Sequence, residues 1–89
     1  MSGTRILKRL IAMRRNPGND WTIGDIIFVC RRVGLICKPP TTESHYVVWQ
    51  PRIEGFLTIP ARRPIKPFYI MLFVELVQSA LNVERLELE

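Results

Sequence analysis

The sequence contains only one histidine and two cysteines among its 89 residues. Two cysteines do not make a disulfide framework, and together with a single histidine they supply no zinc-ligand set. No apolar run reaches the ~18 residues needed to span a bilayer, and the dispersed glycines match no phosphate-binding loop. We therefore expect no membrane, metal or small-molecule cofactor, and we expect Cys30 and Cys37 to be reduced and buried in a cytoplasmic protein.

Acidic residues are outnumbered in this chain. Thirteen lysines and arginines stand against eight aspartates and glutamates, which gives a formal net charge of +5. This balance favours an acidic partner such as nucleic acid, an acidic protein or an anionic surface. A hydrophobic share of 47% excludes a disordered chain. Because no repeat or long linker is present, residues 1–89 are expected to form one domain.

Three segments have the 3–4 residue spacing of apolar side chains that predicts amphipathic helices. The first has a basic face, which is either solvated or set against phosphates or an acidic partner. The second begins at Thr22, which with Asp25 makes a capping-box pattern, and ends at Gly34, a residue suited to a left-handed stop. The third begins at Pro67, which suits a first helical turn. The helices are expected over residues 4–15, 22–33 and 67 to about 82, with a frayed tail over residues 83–89.

The same spacing predicts which side of each later helix faces the core. In the second helix the expected stripe is Ile23, Ile26, Ile27, Cys30 and Val33. In the third helix it is Tyr69, Leu72, Phe73, Leu76, Ala80 and Leu81.

The middle of the chain predicts three strands. Residues 35–38 form a short strand ended by two prolines. Residues 42–60 then predict a β-hairpin, with a first strand up to Trp49 and a second over residues 56–59 that Pro60 stops. The resulting order is α-β-β-β-α with an additional N-terminal helix. It indicates a small two-layer α+β domain in which the helices cover one face of a three-stranded antiparallel sheet.

The first hairpin strand alternates its side chains between two faces. One face carries His45, Val47 and Trp49, and the other carries Ser44, Tyr46 and Val48. Aromatic side chains can stack on unpaired bases, but in so small a domain core packing is the favoured prediction for Tyr46, Trp49, Phe56 and Tyr69. Because Trp49 shares the face of His45, it is the aromatic residue that we expect to contact RNA or a partner.

Three stretches together resemble the HicA family of bacterial toxin–antitoxin systems. They are the helix that ends at Gly34, the pair Ser44-His45 that opens a strand, and the run Leu57-Thr58-Ile59-Pro60 before the last helix. The resemblance covers about residues 21–81, and residues 4–20 are an addition to the family pattern. It implies a fold like that of double-stranded-RNA-binding domains (dsRBD-like). It also implies a ribosome-independent mRNA interferase that a HicB-like antitoxin neutralises.

The resemblance also implies the residues of the site. It carries the catalytic role to His45 and an RNA-binding role to the adjacent Ser44. RNA cleavage by transesterification requires proton transfer, which a histidine side chain can provide at cellular pH. It also requires cations that offset the charge developing at phosphorus. The candidate cations are Lys38, Arg62, Arg63 and Lys66.

Two positions depart from the family pattern and keep other functions open. Glu43 stands where the family usually has glycine, and Arg62 where it often has a second histidine. These departures favour a non-catalytic RNA-binding module of the same fold. A third interpretation is a basic domain that docks onto an acidic protein.

Overall fold

The computed structural model describes residues 2–41 and 44–88, with the side chains of residues 5–41 and 44–82. In this part of the chain, three helices and three strands follow one another in the predicted order. They are α1 (Ser2–Arg15), α2 (Ile23–Val33), β1 (Ile36–Lys38), β2 (His45–Trp49), β3 (Leu57–Pro60) and α3 (Pro67–Leu88). The strands form one antiparallel sheet in the order β1-β2-β3. The predicted α+β class is confirmed.

Both ends of α2 have the residues that the sequence predicts. At its start, the Asp25 carboxylate accepts hydrogen bonds from the backbone N–H and the hydroxyl of Thr22, at 2.9 and 3.2 Å. At its end, Gly34 adopts a left-handed conformation with φ of 79°. Such a stop lets the following backbone N–H groups satisfy the last carbonyls of the helix, and Leu35 N–H donates to Cys30 at 3.0 Å. The Thr22–Asp25 pair thus fixes where α2 begins, and Gly34 fixes where the chain leaves α2 and enters β1.

The predicted core face of α2 is only partly right. Ile26, Cys30 and Val33 are buried as expected, and Val29, which was not in the predicted stripe, is buried with them. Ile23 and Ile27 are only half-buried. The buried face of the helix is therefore rotated slightly from the predicted one.

The predicted core face of α3 is only partly right, since Phe73 and Ala80 are in the core and Tyr69 and Leu76 pack against it. The buried residues are Ile70, Phe73, Val74, Val77 and Ala80. Tyr69, Leu72 and Leu76 are half-buried instead, and Leu81 is exposed. The helix has apolar side chains on several of its sides, including the exposed Phe68 and Met71. The spacing of its apolar residues therefore identifies the buried side only in part. The helix also continues to Leu88 and does not end near Asn82.

The first helix packs on the rest of the molecule. Ile6, Leu10 and Met13 are buried, and α1 contacts both α2 and α3. The half-buried Arg9 forms an ion pair with Asp25 at 2.9 Å, and its guanidinium lies 4.0 Å from the centre of the Phe28 ring. The other four cations of α1 are exposed, namely Arg5, Lys8, Arg14 and Arg15. The predicted basic face of this helix is therefore exposed.

The sheet has one face against the helices and one face without a described helix on it. Val48 and Ile59 lie on the helix-facing side and are fully buried, whereas His45 on the other side is exposed. The predicted alternation along β2 is thus correct. The predicted stop after Ile59 is one residue early, because Pro60 is the last residue of β3 and pairs with His45. A proline is tolerated there because β3 is an edge strand.

Among the described residues, no helix combines the length and apolar character that a bilayer crossing requires.

Candidate functional site

His45 is the first residue of β2, the central strand of the sheet, and its side chain is exposed. Its cross-strand neighbour on β3 is Pro60. The pairing of β2 with β1 begins only at Val47, so His45 is held on one side, by its pairing with β3, and its ring remains accessible. His45 takes part in two adjacent hollows.

The larger hollow, which we call the basic cleft, has a volume of about 620 Å³. Three cationic side chains line it together with His45, and its remaining walls come from the turn after α1 and the start of α3. Its lining residues are Gly18, His45, Pro60, Arg62, Arg63, Pro64, Ile65, Lys66, Pro67 and Tyr69. The sequence-predicted cations of this loop and the histidine therefore face one space.

Backbone hydrogen bonds hold both ends of the loop that carries these cations, residues 61–66. At its start, Ala61 N–H donates to the Ser44 carbonyl at 2.7 Å, directly beside His45. Near its end, Ile65 is only 2% exposed, and its N–H donates to the Trp21 carbonyl at 2.9 Å. Trp21 is itself tied to the preceding turn, because its indole N–H donates to the Asn16 carbonyl at 2.7 Å. Arg62 and Arg63 thus project from a loop that the fold holds in place.

The start of α3 adds a further positive contribution to the basic cleft. Pro67, the first residue of α3, lines it, and the Lys66 carbonyl accepts the first helical hydrogen bond from Ile70 at 3.3 Å. The N-terminal end of a helix carries a partial positive charge and favours anions. An anion in the basic cleft would meet this end of α3 as well as the three side-chain cations.

The second hollow, of about 370 Å³, lies on the other side of His45 and contains Lys38. Lys38 pairs with Val47, two residues along β2 from His45. Lys38 and His45 are therefore diagonal neighbours on one face, a relation that separates residues by about 7–8 Å. The imidazole consequently has cationic side chains on both sides of it.

The predicted site residues each line one of the two hollows, except for Ser44. The exposed Ser44 lines neither hollow, and what it contributes is its backbone carbonyl to Ala61. Glu43 lies outside the described residues. Sequence reasoning missed Trp21 and Ile65, which hold the basic loop. The signal for Ile65 was present, since it is an apolar residue within a basic run and between two prolines.

The cysteines are not placed for nucleophilic chemistry at this site. Both are free, and Cys30 is buried in α2 while Cys37 is half-buried on the helix-facing side of β1. The neighbouring Cys37 thiol, together with burial, raises the pKa of the Cys30 thiol far above its ordinary range. A neutral, buried thiol is a poor nucleophile.

The side chains that line the two hollows determine which reactions they could catalyse. Among the described residues that line them, His45 is the only imidazole and no carboxylate is present. No described group of three histidine, cysteine, aspartate or glutamate side chains is placed to hold a metal ion. The arrangement suits a phosphodiester, with guanidinium groups on its oxygens and one imidazole beside it. Comparisons with protein-family models, curated proteins and solved structures found no significant match for this chain.

Proposed function

We propose that this chain is a HicA-like endoribonuclease that cleaves mRNA at the basic cleft. The observation that carries the proposal is the position of the exposed His45, between Arg62, Arg63 and Lys66 on one side and Lys38 on the other. The order α2-β1-β2-β3-α3, with the helices on one face of the sheet, supports the dsRBD-like fold that goes with this function.

The proposed reaction is an internal transesterification of RNA. The 2′-hydroxyl attacks the adjacent phosphorus, the bond from phosphorus to the 5′-oxygen breaks, and the products are a 2′,3′-cyclic phosphate and a 5′-hydroxyl. His45 either accepts the proton of the attacking hydroxyl while water protonates the leaving 5′-oxygen, or, as imidazolium, protonates the leaving oxygen while water accepts the proton of the hydroxyl. Arg62, Arg63 and Lys66 stabilise the extra negative charge on the phosphoryl oxygens in the transition state.

The proposed regulator is a HicB-like antitoxin that covers the basic cleft. The cleft presents three cations and no described carboxylate, so an acidic surface of the antitoxin would bind it and exclude RNA. The proposed setting is a cytoplasmic toxin–antitoxin system.

One observation favours a second function, that of a non-catalytic RNA-binding module. Transesterification uses both a proton acceptor and a proton donor, but the described lining of the two hollows holds one imidazole. The same cations would then bind phosphates without cleaving the chain. The two functions differ in whether a bound RNA is cut.

The test is cleavage of purified RNA by the wild type and by His45→Ala, with folding of both checked by circular dichroism. General acid–base catalysis contributes about 10²–10⁴-fold, so we expect His45→Ala to lower the cleavage rate by this factor. Gln78→Ala is the control, because Gln78 is an exposed polar residue of α3 that lies outside both hollows. The wild-type products should carry 5′-hydroxyl ends, and a substrate with 2′-deoxyribose at the cut site should remain intact.

Two results would contradict the enzymatic proposal. Equal cleavage by the wild type and a folded His45→Ala variant would place the activity elsewhere. Binding of RNA without cleavage by either protein would identify the non-catalytic module.

A further inference from the structure

A third hollow lies next to the second one, with which it shares Lys38 and Val47. It has a volume of about 580 Å³, and Lys38, Val47, Trp49, Ile53 and Phe56 are among its lining residues. Lys38 and Val47 also line the second hollow, which shares His45 with the basic cleft. The three hollows therefore follow β2 without a break, and we call this path the outer track.

The two ends of the outer track differ in chemistry. One end has the cations of the basic cleft, and the other has two aromatic side chains, Trp49 and Phe56. Phe56 is 69% exposed, so its predicted place in the core is wrong. It directly precedes β3, and alternation counted back from the buried Ile59 puts it, like Thr58, on the side of the sheet that faces away from the helices. Ile36, which pairs with Trp49, is also 42% exposed.

The two ends of the outer track are farther apart than two neighbouring stacked bases. His45 and Trp49 are four residues apart on one strand, which corresponds to about 13 Å at 3.3 Å per residue. Stacked bases in a duplex strand are about 3.4 Å apart. A nucleotide at the aromatic end is therefore not the nucleotide whose phosphate lies at His45.

We infer that the outer track binds single-stranded RNA, with unpaired bases stacked on Phe56 and Trp49 and the backbone phosphates led by Lys38 to the basic cleft. The inference rests on the proposed function and names its substrate class. Stacking platforms interleaved with cations are what a single strand requires, whereas the bases of an A-form duplex are not free to stack on side chains. The described lining of all three hollows contains no carboxylate, and this favours RNA over a basic or neutral protein segment.

The probe is a single-stranded 2′-O-methyl oligonucleotide of about eight nucleotides, within the usual range of such sites. It has no free 2′-hydroxyl and so cannot be cut by the proposed reaction. A second oligonucleotide of the same length is abasic, and therefore keeps the phosphates and removes the stacking. Binding of each to the full wild-type chain is measured by fluorescence anisotropy at one salt concentration.

Phe56→Ala is the diagnostic variant, because Phe56 is exposed in a loop and its loss removes no core contact. We expect it to bind the base-containing strand about 5- to 100-fold more weakly, the range found when one stacking side chain is truncated. Its affinity for the abasic strand should equal that of the wild type. Phe68→Ala is the matched control, since Phe68 is 65% exposed and lies outside the three hollows.

Trp49 provides a second readout that requires no substitution at the track. The wild type has two tryptophans, so its NMR spectrum should show two indole N–H signals, which Trp21→Phe assigns. We expect the Trp49 signal to shift when the base-containing single strand is added. A duplex of the same sequence should leave it in place.

The possible outcomes separate this inference from the proposed activity. If RNA is not cut but Phe56→Ala loses base-dependent binding, the inference stands and the enzymatic proposal fails. If RNA is cut while Phe56→Ala and the wild type bind both strands equally, the inference is wrong and the enzymatic proposal stands. Tighter binding of the duplex than of the single strand would also overturn the inference. So would a Phe56→Ala variant that keeps base-dependent RNA binding and loses only a protein partner.

Discussion

Gly34 connects α2 to the sheet in a backbone conformation that other residues rarely adopt. Its φ of 79° lies in the left-handed region, which costs a residue with a Cβ atom roughly 1–2 kcal/mol. A Cβ atom here would have only an ordinary contact, 3.7 Å from Gln50 Nε2. We therefore expect Gly34→Ala to lower the free energy of unfolding by about 1–2 kcal/mol, measured by urea denaturation.

Gly24 provides the matched control for this substitution. It lies in the first turn of α2 with an ordinary helical backbone, and a Cβ atom would be 3.4 Å from Thr22 Oγ1. Alanine is favoured over glycine in a helix by roughly 0.5–1 kcal/mol, so Gly24→Ala should not destabilise the protein. Equal losses at both positions would show that the left-handed conformation is not what glycine provides at residue 34.

Single residues were predictable where a local rule decides their conformation. Gly34 and the Thr22–Asp25 pair follow from helix-capping chemistry, and strand alternation puts His45 and Val48 on opposite faces, one exposed and one buried. The same alternation, counted back from Ile59, puts Phe56 on the open face of the sheet. The core position predicted for Phe56 was wrong because it followed from hydrophobicity and not from this pattern.

At the scale of the element, α1 contributes buried side chains to the hydrophobic core of the domain. Met13 is fully buried between this helix and the rest of the core, whereas Leu7 on the same helix is 58% exposed. Truncation of a buried methionine costs about 2–5 kcal/mol through lost contacts and the cavity that remains. We expect Met13→Ala to lower the free energy of unfolding by this amount and to shift the urea midpoint accordingly.

Leu7→Ala is the control on the same helix and should change stability by less than about 0.5 kcal/mol, as surface substitutions usually do. Near-equal effects of Met13→Ala and Leu7→Ala would contradict the packing of α1 on the domain. A large loss only at Met13 would show that α1 is packed on the domain through its buried side.

The elements themselves were more predictable than their packing. The sequence predicts all six described helices and strands in order, because capping residues, prolines and alternation mark their ends. It predicts the buried side of α3 only in part, since that helix is apolar on several sides. It does not predict the hydrogen bond between Ile65 and Trp21, because the two residues are far apart in the chain and meet only through tertiary packing.

At the scale of the whole molecule, exposed positive charge lies on at least three surfaces, since Arg31, Arg32 and Arg52 line a further hollow near the end of α2. RNA binding can be compared at the two surfaces that lie apart from this hollow. One is the basic cleft, which includes Arg62, Arg63 and Lys66. The other is the solvated face of α1, where Arg5 and Lys8 are exposed. A net charge of +5 attracts any polyanion, so RNA binding by itself does not identify which surface is used. The salt dependence of binding distinguishes them, because it counts the phosphates that are neutralised at the interface.

We expect Arg62→Gln to lower the slope of log K against log salt by about 0.7, the value for one phosphate contact on a single strand. Lys8→Gln removes the same formal charge from the α1 face and should leave the slope unchanged. The measurement is anisotropy with the uncleavable 2′-O-methyl strand over a series of salt concentrations. If the two variants lose affinity equally and keep the wild-type slope, net charge alone attracts the RNA and the basic cleft makes no phosphate contact. If only Lys8→Gln lowers the slope, RNA lies on the face of α1, and the placement of the reaction at His45 is wrong.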